Sequence, residues 1–114
     1  MKTRSGTSSV EFLLDQLADL PDVRSQRMFG GTGLYAGDRF FAIVFDGHVF
    51  FKVDDVNRGA YVRAGMKPFK PYKDRPTTMQ YYEVPTSVIE DADELCKWAR
   101  QSIAAAERKS TNRR

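Results

Sequence analysis

The sequence predicts a two-layer α+β domain: an antiparallel β-sheet with an N-terminal and a C-terminal helix packed on one face. Three observations carry this reading. Helix-capping signals precede apolar residues at helical spacing near both ends of the chain. Between them lie short apolar runs separated by glycine-containing turns. The 114 residues are the length of one domain and contain no internal repeat or linker.

The elements follow in order. Ser8-Ser9-Val10-Glu11 is a capping box, and Val10, Leu13, Leu14, Leu17 and Ala18 continue at helical period until Pro21. A first helix is expected over about residues 9–19. Residues 23–29 read as a first strand, broken by Gly30-Gly31-Thr32-Gly33, and residues 34–36 as a short second one. Gly37-Asp38 turns the chain into Arg39-Phe40-Phe41-Ala42-Ile43-Val44-Phe45. Asp46-Gly47 then signals a two-residue hairpin turn of the kind that requires positive φ, followed by a strand over residues 48–53. Asp54 caps a second helix, with Val56, Ala60 and Ala64 on its apolar stripe, Tyr61 beside it, and Gly65 as its stop. Pro68 and Pro71 restrict the next stretch to a loop or a sheet edge. Residues 77–84 form a last strand. Asp91-Ala92-Asp93-Glu94 is a second capping box and opens a helix with Leu95, Cys96, Ala99, Ile103 and Ala106 on one face.

The tight turn sorts the hairpin side chains. Phe45 faces His48, Val44 faces Val49, Ile43 faces Phe50, Ala42 faces Phe51, Phe41 faces Lys52 and Phe40 faces Val53. Alternation along a strand then puts Phe40, Ala42, Val44, Val49, Phe51 and Val53 under the helices. The other face collects Phe41, Ile43, Phe45 and Phe50, with Arg39, His48 and Lys52 at its margins. An apolar centre with a polar edge has the composition of a contact surface. Those four residues are the candidate protein interface, covered by the second helix, by residues 67–72 or by a second copy of the chain. A twofold homodimer is the expectation, because isologous pairs are the commonest closed assembly.

The sequence pI of about 9.1 points to polyanions until the charges are placed. Lys2 and Arg4 near the start, and Arg108, Lys109, Arg113 and Arg114 near the end, carry the excess, leaving the body slightly acidic. Residues 8–106 are therefore the expected domain, and residues 1–7 and 107–114 are expected to be flexible basic tails. Within the body, Arg58, Arg63, Lys67, Lys70, Lys73 and Arg75 are interleaved with Phe69 and Tyr72. That mixture suits phosphate contacts and base stacking and makes these six the candidate nucleic-acid or anion contact.

Catalytic and metal signals are missing at the level of residue types. Gly30-Gly31-Thr32-Gly33 leads into a strand and not a helix, so it reads as a turn or bulge and not as a phosphate loop. His48 is the only histidine, too few for a metal site of the usual spacing, and reads as a half-exposed strand residue. Cys96, the only cysteine, fits a reducing cytoplasm and lies on an apolar stripe, as a buried structural thiol would. No catalytic residue and no cofactor are expected, and the longest apolar run is too short to span a membrane.

The ordered series of residues resembles the TfoX N-terminal domain family. It comprises Arg27-Met28-Phe29-Gly30-Gly31-Thr32-Gly33-Leu34-Tyr35, Phe51-Lys52-Val53-Asp54 with Asn57-Arg58, and Gly65 with Pro68-Phe69. It continues through Met79 with Tyr81-Tyr82-Glu83-Val84-Pro85 to Asp93-Glu94-Leu95 with Trp98-Ala99. The resemblance spans about residues 9–106 and is to a stand-alone form without the second, C-terminal domain of the full-length regulators. It implies a secretion-chaperone-like two-layer fold and no enzymatic activity. It also implies a cytoplasmic role in regulating competence genes and transcription, through contact with a transcription-regulator partner. Two alternatives accompany it: a direct nucleic-acid binder using the basic 58–75 region and the C-terminal tail, and a small-ligand module with a pocket near His48, Lys52 and Tyr81.

Overall fold

The computed structural model describes residues 10–28, 30–70 and 78–112. Its elements are α1 (Val10–Gln16), β1 (Val23–Met28), β2 (Gly31–Ala36), β3 (Arg39–Phe45), β4 (His48–Lys52) and α2 (Arg58–Arg63), then β5 (Pro68–Phe69), β6 (Thr78–Glu83), α3 (Thr86–Ile89) and α4 (Ala92–Asn112). The strands form one open six-stranded sheet in the order β1-β2-β3-β4-β6-β5. Every pairing in it is antiparallel, so the α+β class read from the sequence is the class observed.

Turn chemistry builds the first four strands into a meander. Asp46 and Gly47 have φ of 52° and 80°, the paired positive values of a type I′ turn. The register of β3 on β4 is the expected one, with Phe45 opposite His48, Val44 opposite Val49, Ile43 opposite Phe50 and Ala42 opposite Phe51. Val44, Val49, Phe51 and Val53 accordingly lie in the core beneath the helices.

The expectation fails one residue further back. Leu34 pairs with Ala42 but Tyr35 pairs with Phe40, so Phe41 has no partner on β2 and forms a β-bulge. The extra residue resets the alternation of side chains. Phe41 joins the core, is 0% exposed, and packs edge-on against Phe51 at 5.7 Å between ring centroids. Phe40, expected in the core, lies instead against Tyr35 and Tyr81 on the opposite face. The two neighbouring phenylalanines have exchanged the roles that strict alternation assigns them.

All the described helices bury side chains in the same layer: Leu13 from α1, Tyr61 from α2, Val88 and Ile89 from α3, and Leu95 and Ala99 from α4. Burying each of the leucine, isoleucine and valine side chains contributes about 1.5–3 kcal/mol. α4 lies across β3 and β4. It starts as the capping signal requires, the Glu94 N–H donating to Asp91 Oδ1 at 3.2 Å. It then runs on to Asn112, so residues 107–112, expected in a tail, continue the helix. The serine half of the first capping box lies outside the described residues.

α2 starts later than the Asp54 cap implies. Asp54 Oδ1 accepts the Val56 N–H, Asn57 Oδ1 accepts the Asp54 N–H, and the Asn57 side-chain amide donates to the Lys52 carbonyl. This turn delays the helix to Arg58 and rotates its faces. Val56 and Ala64, expected on a buried stripe, are exposed, and Tyr61 is the residue buried. Its ring meets Trp98 of α4 edge-on at 4.6 Å. The helix ends in a Schellman motif, with the Gly65 N–H donating to the Val62 carbonyl and the Met66 N–H to the Tyr61 carbonyl.

Candidate functional site

The sheet face opposite the helices is built from alternate residues of five strands. Tyr35 of β2, Phe40, Ile43 and Phe45 of β3, and His48, Phe50 and Lys52 of β4 project there, joined by Tyr81 and Glu83 of β6 and by Phe69 of β5. Phe69 closes over Phe50 at 4.7 Å and meets Phe45 edge-on at 5.6 Å. Phe69, from the 67–72 stretch expected as one possible cover, thus supplies part of it. Phe40 links this cluster to Tyr35 at 5.1 Å and Tyr81 at 5.8 Å. A Cβ on Gly33 would come within 2.6 Å of the Phe40 ring and 2.9 Å of the Met28 methyl. Glycine lets those two side chains lie flat across β2.

Charged groups rim the aromatic centre. His48 Nδ1 lies 2.6 Å from Glu83 Oε2 at one end, and the Arg24 guanidinium lies 5.1 Å from the Tyr35 ring centroid at another edge. At the far end of β4, Lys52 Nζ lies 5.1 Å from the Tyr81 ring centroid and donates to Gln80 Oε1 at 3.0 Å. Burial pushes the Tyr81 hydroxyl up to about 12, with Tyr35 adding to the shift.

Of the predicted interface residues, Ile43 and Phe45 are half-buried on this face and Phe50 is on it but buried beneath Phe69. Phe41 is not on it: the bulge puts Phe41 in the core. Phe40, Tyr35 and Phe69 are the members sequence reasoning missed. The glycine at position 33, two residues before Tyr35, was the available signal for rings lying across the sheet.

The four described anion-contact candidates are distributed over α2 and the two flanks of β5. Arg58 opens α2 and donates to Asp55 at 2.8 Å, and Arg63 is exposed at the other end of that helix. Lys67 and Lys70 are exposed on either side of β5, at the sheet edge. Lys73 and Arg75 lie outside the described residues. Among the described residues no group of three or more His, Cys, Asp or Glu side chains is placed to hold a metal ion. Cys96 is buried, its Sγ donates to the Gln16 carbonyl at 3.5 Å, and burial pushes its thiol pKa up. The suggested pocket near His48, Lys52 and Tyr81 divides: Lys52 and Tyr81 face each other, whereas His48 pairs with Glu83 at the other end of β4.

These features define a small two-layer α+β domain whose open antiparallel sheet carries helices on one face and an aromatic cluster on the other. The chain belongs to the TfoX N-terminal domain family, whose model matches residues 15–106. No curated protein matches it. No described helix is long and apolar enough to cross a membrane.

Proposed function

We propose that this chain is a non-enzymatic, cytoplasmic regulatory module of the TfoX N-terminal type, acting on transcription, and on competence genes in particular, through protein–protein contact. The single observation that supports contact is the aromatic face formed by Tyr35, Phe40, Ile43, Phe45 and Phe69. It lies on the side of the sheet opposite the core layer of the helices, with only the last turns of α4 reaching its edge near Phe40. Its occupant is a second copy of the chain in an isologous pair. An apolar centre rimmed by Arg24 on one side and Glu83 on another is suited to such pairing, because a twofold axis can set unlike charges across from each other.

Light scattering on the wild type at tens of micromolar, the range in which a stable dimer persists, tests the pairing. A dimer that becomes a monomer in Phe45→Asp supports it, and a monomeric wild type overturns it. Transcript profiles of a deletion strain test the regulatory half. Regulated transcripts should be restored by the wild-type chain and not by Phe45→Asp, and a profile unchanged by deletion rejects regulation.

A further inference from the structure

Where β3 starts and β4 ends, the last turns of α4 pass over the sheet and leave a cleft of about 360 Å³. Arg39, Phe40, Lys52, Tyr81 and Lys109 line it, with Gln80 and Asp38 at its margins. Lys52 is the only charged residue in the buried class among the described residues, at 6% exposure. A buried ammonium ordinarily sits against a carboxylate. Here no described carboxylate forms an ion pair with Lys52. Its hydrogen-bond acceptor is the neutral Gln80 Oε1, 3.0 Å away. An ammonium has three donors, so this contact leaves others over.

The neighbouring charges deepen the imbalance. Burial and then the Lys109 ammonium hold the Lys52 pKa below the ordinary lysine value, with Asp54 acting in the opposite sense. Arg39 spends its terminal nitrogens on Asp38 at 2.8 Å and Glu107 at 3.6 Å. Its Nε is buried and has no hydrogen-bond partner. Three cations from β3, β4 and α4 thus meet at one cleft with donors to spare, beside two aromatic rings whose centroids are 5.8 Å apart. Like charges gathered at a partly desolvated place raise the free energy of the empty fold, and an anion relieves that cost.

We propose that this cleft binds a small oxyanion, a carboxylate or phosphate group carried on an aromatic body, with Lys52 and Lys109 holding the oxyanion and Phe40 and Tyr81 flanking the body. The site shares Phe40 with the proposed dimer face, but its oxyanion-holding lysines lie away from Phe45, so Phe45→Asp reads the pairing and Lys109→Gln reads the cleft, and either can fail without the other.

The test is an amide chemical-shift titration of the full chain with phenyl phosphate, benzoate and inorganic phosphate, at ionic strength matched with chloride. At least one of the aromatic probes should give saturable shifts centred on Phe40, Lys52, Gln80 and Tyr81. Which of them binds separates phosphate from carboxylate. Lys109→Gln, an exposed position, should weaken binding about tenfold, the effect of losing one charge-assisted hydrogen bond. Lys52→Met should abolish it while retaining a cooperative thermal transition, and Lys97→Gln, exposed near the other end of α4, should leave it unchanged. The absence of saturable shifts with either aromatic probe up to about 10 mM, beyond the weak millimolar range, overturns the site. So does an affinity unaffected by Lys109→Gln. Inorganic phosphate binding as tightly as phenyl phosphate overturns the part assigned to the rings.

Discussion

Arg108 and Asp54 meet in a two-pronged ion pair, with Nε 2.6 Å from Oδ2 and Nη2 2.9 Å from Oδ1. The contact pins the far end of α4 to the turn that follows β4. Hydrogen bonding to Arg108 is the largest influence holding the Asp54 carboxyl below its ordinary pKa, with burial opposing it. A depressed carboxylate pKa contributes stability that is complete above the unfolded value, near 4, and is lost as pH falls through the lower folded value. Both side chains are about a third exposed, so solvent screening limits the contribution to about 1 kcal/mol. Arg108→Gln should lose about that much in urea denaturation at pH 7, and the difference from wild type should vanish toward pH 2.

The bulge makes consecutive phenylalanines unequal. Phe41→Ala should cost about 3–5 kcal/mol, as deletion of a fully buried ring does. Phe40→Ala, on the half-buried face, should cost about 1 kcal/mol. Chemical denaturation of the two variants side by side measures this, and equal losses would mean that Phe41 is not in the core.

Two glycines of β2 should respond differently to a methyl group. A Cβ on Gly31 would meet the Val44 carbonyl oxygen at 2.6 Å, and backbone cannot step aside. On Gly33 the obstacles are the Phe40 ring and the end of Met28, which can turn away. Gly31→Ala should cost about 1–3 kcal/mol. Gly33→Ala should cost less but alter the near-ultraviolet circular dichroism of the aromatic cluster.

Cys96 should behave as an inert thiol. Its burial and raised pKa keep it protonated near neutral pH. Labelling with a thiol reagent at pH 8 should follow global unfolding, accelerating only at denaturant concentrations where the fold is lost.

On the protein-contact reading, Arg63, Lys67 and Lys70 are ordinary solvated cations. A duplex DNA titration at about 50 mM salt should then show no saturable binding. Binding that weakens steeply as salt rises, and weakens again in Arg63→Gln with Lys67→Gln, would favour the nucleic-acid reading.

What could be read from the sequence was local. Asp46-Gly47 specifies its turn through backbone preference alone, and the register of β3 on β4 follows directly from it. Asp91 and Gly65 mark a helix start and a helix end by the same kind of short-range chemistry. What escaped depends on distant partners. In a run of apolar residues either parity at Phe40 and Phe41 is acceptable, and only the pairing of β2 with β3 selects the bulge. Arg108 reads as part of a basic tail until Asp54, 54 residues earlier in the chain, is seen to hold it. Residues 54–57 carry the composition of a helix start, but Asn57 fastens them to the Lys52 carbonyl, and the register of α2 moves accordingly. α3 is four residues long, too short to show a period.

The unpaired position at Phe41 also sets how the chain can change in length. Removing Phe40 or Phe41 would restore strict parity but leave a single ring, opposite Tyr35 on the outer face, and the space of the Phe41 ring unfilled. A single addition on β2 opposite Phe41 would regularise the ladder and send Phe40 into the interior in place of Phe41. Length on these two strands is therefore tied to ring identity: relatives with a gain on β2 should carry their core ring at the position of Phe40, and those with a loss on β3 should fill the Phe41 space from elsewhere.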